Sequence, residues 1–539
     1  MGMPISCLVP FEEHAAYVEA LTSADSSIRL SPALINHHIH GAGAVNILLI
    51  YPEFPDTFWS FRYALKFIRK KSISPPLGLL TVAAMLPAAW NKRLVDLNTR
   101  QLRDEDLAWA DYVFISGMAV QRRSAREVLE RCHAAGVKIV AGGPLFTLQP
   151  DLYEDVVDHF ILNEGELTLP AFLKDLEQGC AQPVYTTTDF ADMDQTPIPL
   201  WELADLKRYA VLSIQFSRGC PFNCDFCNVT ALLGHRPRTK SVPQIMAELD
   251  RMVQLGWRSS ILFVDDNLIG NKRLLKTGLL PALIEWRTDK LGITFQTEAS
   301  INMADDEELL HLMAAAGFTV VFIGIETPDE SGLAECSKKQ NLKRDLVEDV
   351  KRIQRAGIQV QAGFIVGFDS DTPSIFQRQI DFIQKSGIVT AMVGLLQAPP
   401  GTGLYERLKV EGRLNEQSSG DNVDGTTNII PHMNLETLRE GYQHILQHIY
   451  TPSHYYQRVK TFLQEYQPTQ VVRAAPNFQQ LMAFFRSIVR LGIIGRERVH
   501  YWKLFFWTLS HRPKLITLAV TLAIYGYHFR TVCEHHVRL

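Results

Sequence analysis

Long hydrophobic runs are scarce in this chain of 539 residues. One 15-residue stretch without formal charge, Leu515–Phe529, is bracketed by Lys514 and Arg530. It falls short of the roughly 20 residues a spanning helix needs, so it is expected to lie in a membrane interface or pack as a buried helix. Residues 1–45 lack a basic start followed by an apolar core, and no secretory leader is expected. Paired cysteines are lacking too. Of the eight, Cys7, Cys132, Cys180, Cys336 and Cys533 are scattered, which excludes a disulfide framework and a second cluster motif. No GxGxxG follows the first strand-like segment, so the dinucleotide fingerprint is absent. Free thiols point to a reducing cytoplasm. The overall charge of only −4 conceals an asymmetry, because Thr451–Leu539 carries 12 Lys and Arg against three acids, with 15 of the 52 aromatics. That tail suits either a membrane surface or a solvated basic face beside an aromatic core. It contains no RNA-binding motif, and nucleic acid is not expected as a partner.

What the chain does have is Ser217-Arg-Gly-Cys-Pro-Phe-Asn-Cys-Asp-Phe-Cys-Asn228, with Cys220, Cys224 and Cys227 close enough to converge on one inorganic centre. A 4Fe–4S cluster normally takes four thiolates. Three with no fourth nearby leave one iron open to a cofactor or substrate. A zinc site with His235 as fourth ligand, or buried structural cysteines, are the competing readings.

Around this loop the apolar pattern alternates strand and helix. Strands are predicted at Val45–Tyr51, Arg93–Leu97, Tyr112–Gly117, Val137–Ala141 and His159–Leu162. A second series is predicted at Val211–Phe216, Ser260–Val264, Ile293–Glu298, Val320–Ile325, Gln359–Val366 and Thr390–Leu396. The first series reads as a doubly wound parallel sheet and the second as a partial (β/α)6 barrel, both with ligand sites at strand carboxyl ends. The expected division is a poorly ordered extension at 1–44, a Rossmann-like domain at 45–185 and a linker at 186–206. The barrel then takes 207–410 and a mostly α-helical domain takes 411–539. The extension includes Asn36-His-His-Ile-His40, read as a solvated tail rather than a metal site.

With the aromatic Phe226 before its last cysteine, the loop resembles the radical S-adenosylmethionine (SAM) enzymes. That resemblance implies a 4Fe–4S cluster on Cys220, Cys224 and Cys227. It also implies SAM contacts from Phe226, Asp265 and Asp266 (methionine amino group), Glu326 (ribose), and Gly363, Ile365 and Gly367 (adenine). Asp265-Asp266 stands where many members have Gly-Gly-Glu. The first sheet resembles the cobalamin-binding fold through Ser116-Gly-Met118 and, 26 residues on, Gly142-Gly143. Only a residue without Cβ lets backbone lie against a flat ligand. The resemblance implies cobalamin contacts from Ser116, Gly117, Gly142, Gly143, Glu164 and Gly165. No Asp-x-His-x-x-Gly occurs between Ile50 and Ser116; Ser74-Pro-Pro-Leu-Gly78 stands in its place, and no protein histidine is expected on the cobalt.

The pairing is identified as cobalamin-dependent radical SAM, a family whose members mostly methylate unreactive carbon or phosphorus. Pro52–Trp59, the Pro75–Leu80 turn and Ala523–Phe529 resemble its hopanoid C-2 methylase subgroup. The implied reaction is C-methylation of a small, lipid-like molecule, using SAM both as methyl source and as radical source, with an electron donor such as flavodoxin or ferredoxin. The implied location is cytoplasmic, with peripheral membrane contact through 451–539. A cyclase-like reaction with the same cofactors and a non-catalytic corrinoid or redox sensor are the alternatives. A methylthiotransferase would need a further three-cysteine set, which is lacking.

Overall fold

The computed structural model describes residues 45–290, 292–415, 419–421, 423–468 and 478–536. The extension 1–44, with its histidines, lies outside these residues. Six strands, β1 (Asn46–Tyr51), β2 (Asn91–Asp96), β3 (Tyr112–Ser116), β4 (Lys138–Gly142), β5 (His159–Ile161) and β6 (Val184–Tyr185), form a parallel sheet in the order β2-β1-β3-β4-β5-β6. Leu48, Ile50, Val113 and Ile115 enter the core on one face, while Ile47, Leu49 and Phe114 enter the other. That alternation is why these strands read as unbroken apolar runs.

The second domain begins with β7 (Leu212–Ile214), followed by a short antiparallel ribbon, β8 (Ser217–Arg218) and β9 (Arg238–Thr239). It continues with β10 (Ile261–Phe263), β11 (Phe295–Glu298), β12 (Phe318–Glu326), β13 (Gln359–Val366) and β14 (Ala391–Leu395). Six of these make a parallel sheet in the order β14-β13-β12-β11-β10-β7, an unclosed barrel wall. The segment 186–206 is a packed strap rather than a loose tether. Trp201 is fully buried, and Leu200 N donates to Leu80 O at 3.1 Å.

Seven helices position the rest of the site. Beside the first sheet are α1 (Arg62–Ile68) and α2 (Gly165–Glu177). The C-terminal region supplies α3 (Leu435–Tyr450), α4 (Pro452–Glu465), α5 (Phe478–Ser487, running on as a π-helix through Ile494), α6 (Arg498–His511) and α7 (Ile516–His536). By length and composition α7 could cross a membrane, yet 56% of its apolar window is buried inside the protein. The 15-residue run is thus the centre of a core helix.

Its last turns bind the first domain. Phe529 stacks on Phe58 at 4.2 Å between centroids, and a His528 ring nitrogen donates to Phe58 O at 2.9 Å. Burial pulls His528 down to about 4, so its imidazole is neutral at pH 7. On the opposite side, a Cβ on Gly526 would lie 2.2 Å from the Tyr455 ring, and Tyr455 Oη donates to Leu522 O at 2.7 Å. The Pro52–Trp59 and Ala523–Phe529 segments, far apart in sequence, therefore form one joint. Phe529→Ala should remove its centre and lower unfolding stability by about 3–5 kcal/mol, measured by denaturant titration.

Candidate active site

The cysteine loop leaves the barrel between β8 and β9, whose register pairs Ser217 with Thr239 and Arg218 with Arg238. Gly219 starts the loop at φ 92°, where a Cβ would sit 2.9 Å from both Arg236 O and Gly234 O, so only glycine fits. The Cys227 amide donates to Cys224 O at 3.0 Å, which turns the Cys-x-x-Cys segment. Around the sulfurs, Asn267 Nδ2 approaches Cys220 at 4.0 Å and Gln340 Nε2 approaches Cys224 at 3.8 Å. Burial pushes all three thiols up, Cys227 to about 12. Three half-buried thiols, two of them with amide donors, suit an iron–sulfur cluster. Among the described residues no three His, Cys, Asp or Glu, the three cysteines included, stand close enough to hold a single metal ion, a spacing that favours a multi-iron cluster over one zinc.

The acids assigned to SAM turn out to differ in kind. Asp265 is fully buried and accepts from Phe216 N at 3.0 Å, from Ser217 N and from Ser217 Oγ. It pins the start of the loop and positions it. Asp266 is the one with capacity left: its Oδ2 is buried without a hydrogen-bond partner. Glu326 ends β12 at φ 65° and forms a buried ion pair with Lys338, packed where a Cβ on Gly324 would lie 2.2 Å from Glu326 Oε1. Burial opposes the Lys338 charge, but Glu326 and the nearby Cys224 outweigh it and hold the ammonium protonated. Lys338, with Asn267 and Gln340, belongs to the loop's surroundings and carried no motif in the sequence.

Phe226 and Ile365 pack, partly buried, against one apolar cluster with Phe368, Leu396 and Ala398. At Gly363 a Cβ would lie 3.0 Å from the Phe322 ring, which would have to shift to admit it. Gly367, at φ 107°, donates its amide to Asp371 Oδ2 at 2.8 Å and serves the turn after β13.

Ser116, Gly117, Gly142, Gly143, Glu164 and Gly165 all line one cavity. The glycines there have different reasons. A Cβ on Gly142 would lie 2.6 Å from Ile161 O and one on Gly143 2.2 Å from Ser116 Oγ, so β5 and β3 require that pair, whatever binds. Gly165, at the start of α2, has nothing nearer than Val82 Cγ2 at 3.9 Å. There the missing side chain keeps space open. Glu164 and Glu166 do something the sequence concealed. Glu166 pairs with Arg218 at 2.8 Å, and Glu164 pairs with Arg238 at 2.6 Å. The two arginines are the β8–β9 pair, so the end of the first sheet clamps the ribbon that carries the cysteine loop.

The cavity holds about 1430 Å³ and joins this first sheet, the barrel mouth and the C-terminal helices. Typical small-molecule sites hold about 300–1,000 Å³, so there is room for a corrin and a second large ligand. No histidine is among its described lining residues. Glu298 lines it from the end of β11, with its side chain accessible there. Burial, then Asp266 and Asp265, push its carboxyl up to about 8, and burial lifts Asp265 to about 7 and Asp266 to about 6. A carboxyl raised on folding keeps its proton after the unfolded chain has lost it. Stability is then fullest below 4.5 and falls as pH rises to about 8. In the cofactor-free protein, Glu298→Gln should flatten the decline of the thermal midpoint across that range.

Comparison with known proteins gives a B12 binding domain at residues 68–173, the radical SAM superfamily at 214–383 and a domain of unknown function (DUF4070) at 402–538. An uncharacterized methyltransferase of Synechocystis sp. is 41% identical over 488 residues, covering 89% of this chain and 91% of that one. The hopanoid C-2 methylase of Rhodopseudomonas palustris is 36% identical over 478 residues, covering 86% and 89%. Among solved structures, the cobalamin-dependent SAM radical enzyme OxsB, with aqua-cobalamin and SAM bound, shares the fold. It matches with a TM-score of 0.60 and 14% identity over 92% of this chain and 80% of that chain.

Proposed function

Because this chain belongs to the cobalamin-dependent radical SAM methyltransferase family, we propose that it methylates an unactivated carbon of a polycyclic membrane lipid of the hopanoid class. It works in this reading as a cytoplasmic enzyme that takes its substrate from a membrane, with a flavodoxin- or ferredoxin-type protein supplying electrons. When bound, the cluster with SAM supplies radical chemistry at carbon, and the corrin carries the methyl group. The chain's own part is placement. Cys220, Cys224 and Cys227 hold the cluster, and Asp265 and the Glu326–Lys338 pair fix the loop that presents them. Asp266 Oδ2 receives the SAM amino group, while Phe226 and Ile365 flank the adenine beside Gly363. Ser116, Gly117, Gly143 and Gly165 form the corrin face. The Glu164 and Glu166 clamp keeps that face in register with the cluster loop.

The observation that carries the lipid reading is the cavity wall. Beyond the polar barrel mouth it is formed by Trp59, Phe61, Phe322, Phe484, Phe505 and Tyr525. Such walls exclude water from the reacting carbon and offer flat apolar faces to fused rings. The similarity to a hopanoid C-2 methylase supports the same class. The test is substrate-stimulated formation of 5′-deoxyadenosine by the anaerobically reconstituted enzyme. A pentacyclic triterpenoid in detergent should stimulate it. Stimulation by a tetrapyrrole or a peptide, but not by the triterpenoid, would overturn the lipid reading.

A further inference from the structure

The C-terminal helices carry a surface that the reaction does not use. Of the large apolar side chains exposed among the described residues, eight fall between Leu481 and Leu509. On α5 and its π-helical extension they are Leu481, Phe485, Val489 and Ile493, spaced four apart and therefore on one face. On α6, Val499, Phe506 and Leu509 follow a similar line. The two helices pack as a hairpin, with Trp502 Nε1 donating to Gly492 O at 2.9 Å and Phe484 stacked on Phe505. At its tip Ile493 and Ile494 are 60% and 70% exposed.

Charge follows the same element. Between Phe478 and Lys514 there are seven Lys and Arg against one acid, Glu497. Glu497 is buried and paired with Arg530 at 2.7 Å, so it adds no negative surface. Arg496 and Arg498 at the tip, with Lys503 and Lys514, are exposed. An apolar ridge studded with cations matches the interface of an anionic bilayer, where apolar side chains enter the acyl boundary and cations meet headgroups. A protein partner would be expected to answer a ridge of this size with acids of its own.

The ridge is also continuous with the cavity. Leu481 and Leu509 are exposed on the surface and line the cavity as well. Phe484 and Phe505, between the two helices, line it too. We infer that the hairpin 478–511 docks in the interface of an anionic bilayer and that the mouth between Leu481 and Leu509 admits a lipid directly from it. The docking stands on the hairpin alone; the admission of a lipid rests on the substrate class proposed above. The buried α7 is not the membrane element. It braces the hairpin from inside, through Arg530 on Glu497 and Arg490 on the Tyr527 hydroxyl at 3.0 Å.

Co-flotation of the full-length holoenzyme with vesicles tests this. Binding is expected to vesicles of phosphatidylcholine with phosphatidylglycerol, weakening with salt and falling several-fold on pure phosphatidylcholine. The double variant Ile493→Ser/Ile494→Ser should bind at least tenfold more weakly, with an unchanged far-ultraviolet spectrum and thermal midpoint because both side chains already face solvent. Turnover should match the wild type on triterpenoid dispersed in detergent and drop at least fivefold on triterpenoid embedded in vesicles. Equal vesicle binding by both proteins would overturn the docking, as would light scattering that shows a dimer dissociated by these substitutions with no vesicle binding. Vesicle binding lost in the variant, without methylation of any lipid, would uphold the docking and refute the substrate reading. Methylation of detergent-dispersed lipid without vesicle binding would do the reverse.

Discussion

Cys224→Ala should give a folded protein that takes up cobalamin but shows no brown iron–sulfur absorbance and no cleavage of SAM. The loop offers three thiolates for the cluster, and the substitution leaves two. Among the described residues no other sulfur is placed to step in. Cys336 lies near Cys224, but it is buried in the apolar cluster beside Phe368 and its thiol points to Leu333 O at 3.6 Å. The change itself is small. Cys224 is half-buried, so trimming it to alanine should cost about 1 kcal/mol of stability or less. A variant that kept its cluster and cleaved SAM would mean the centre lies elsewhere.

Gly165→Leu should have the opposite effect, with cobalamin uptake abolished while the cluster and uncoupled SAM cleavage are retained. The choice of position matters. Leucine at Gly142 or Gly143 would strike Ile161 O or Ser116 Oγ and disturb the sheet itself. At Gly165 the first added carbon meets nothing nearer than Val82 Cγ2 at 3.9 Å, and the position lies at the start of α2 on the cavity wall. Loss of cobalamin can then be read as occlusion rather than misfolding. Equilibrium binding of aquacobalamin, followed by its visible spectrum, checks this. Retained binding would move the corrin away from the Ser116 and Gly143 turns.

Much of this architecture was legible in the chain. Buried parallel strands leave continuous apolar runs, so most of the strands and barrel helices could be read within a few residues. Val184–Tyr185 left no signal because two residues carry no period. The cysteine array was legible because a cluster needs its ligands on one short loop. What escaped was everything built from residues distant in sequence. The Glu164–Arg238 and Glu166–Arg218 clamp spans 74 and 52 positions. Asp265 looked like a ligand contact at a strand end, yet its oxygens are taken by the loop it positions. The glycine pair at 142–143 suggested a flat ligand, whereas neighbouring backbone and Ser116 already demand it. The tail's aromatics were consistent with a membrane face and with a core, and the structure divides them. Those of α7 are mostly packed against Phe58, Phe61 and Tyr455, while Phe485 and Phe506 face outward.

The central proposal is that the cavity lined by Ser116, Gly117, Gly143 and Gly165 reaches, at Arg218, the ribbon that carries the three-cysteine loop, so that corrin and cluster act on the same substrate carbon. The most direct test is anaerobic turnover of the reconstituted enzyme on a hopanoid-containing lipid extract, with SAM deuterated in its methyl group, followed by mass spectrometry. The account predicts a lipid carrying one intact deuterated methyl, with 5′-deoxyadenosine and S-adenosylhomocysteine both formed, and with 5′-deoxyadenosine and the methylated lipid both lost in Cys224→Ala. A product altered without gain of the labelled methyl, as in oxidative cyclisation, would contradict it, as would cobalamin and cluster binding with no cleavage of SAM.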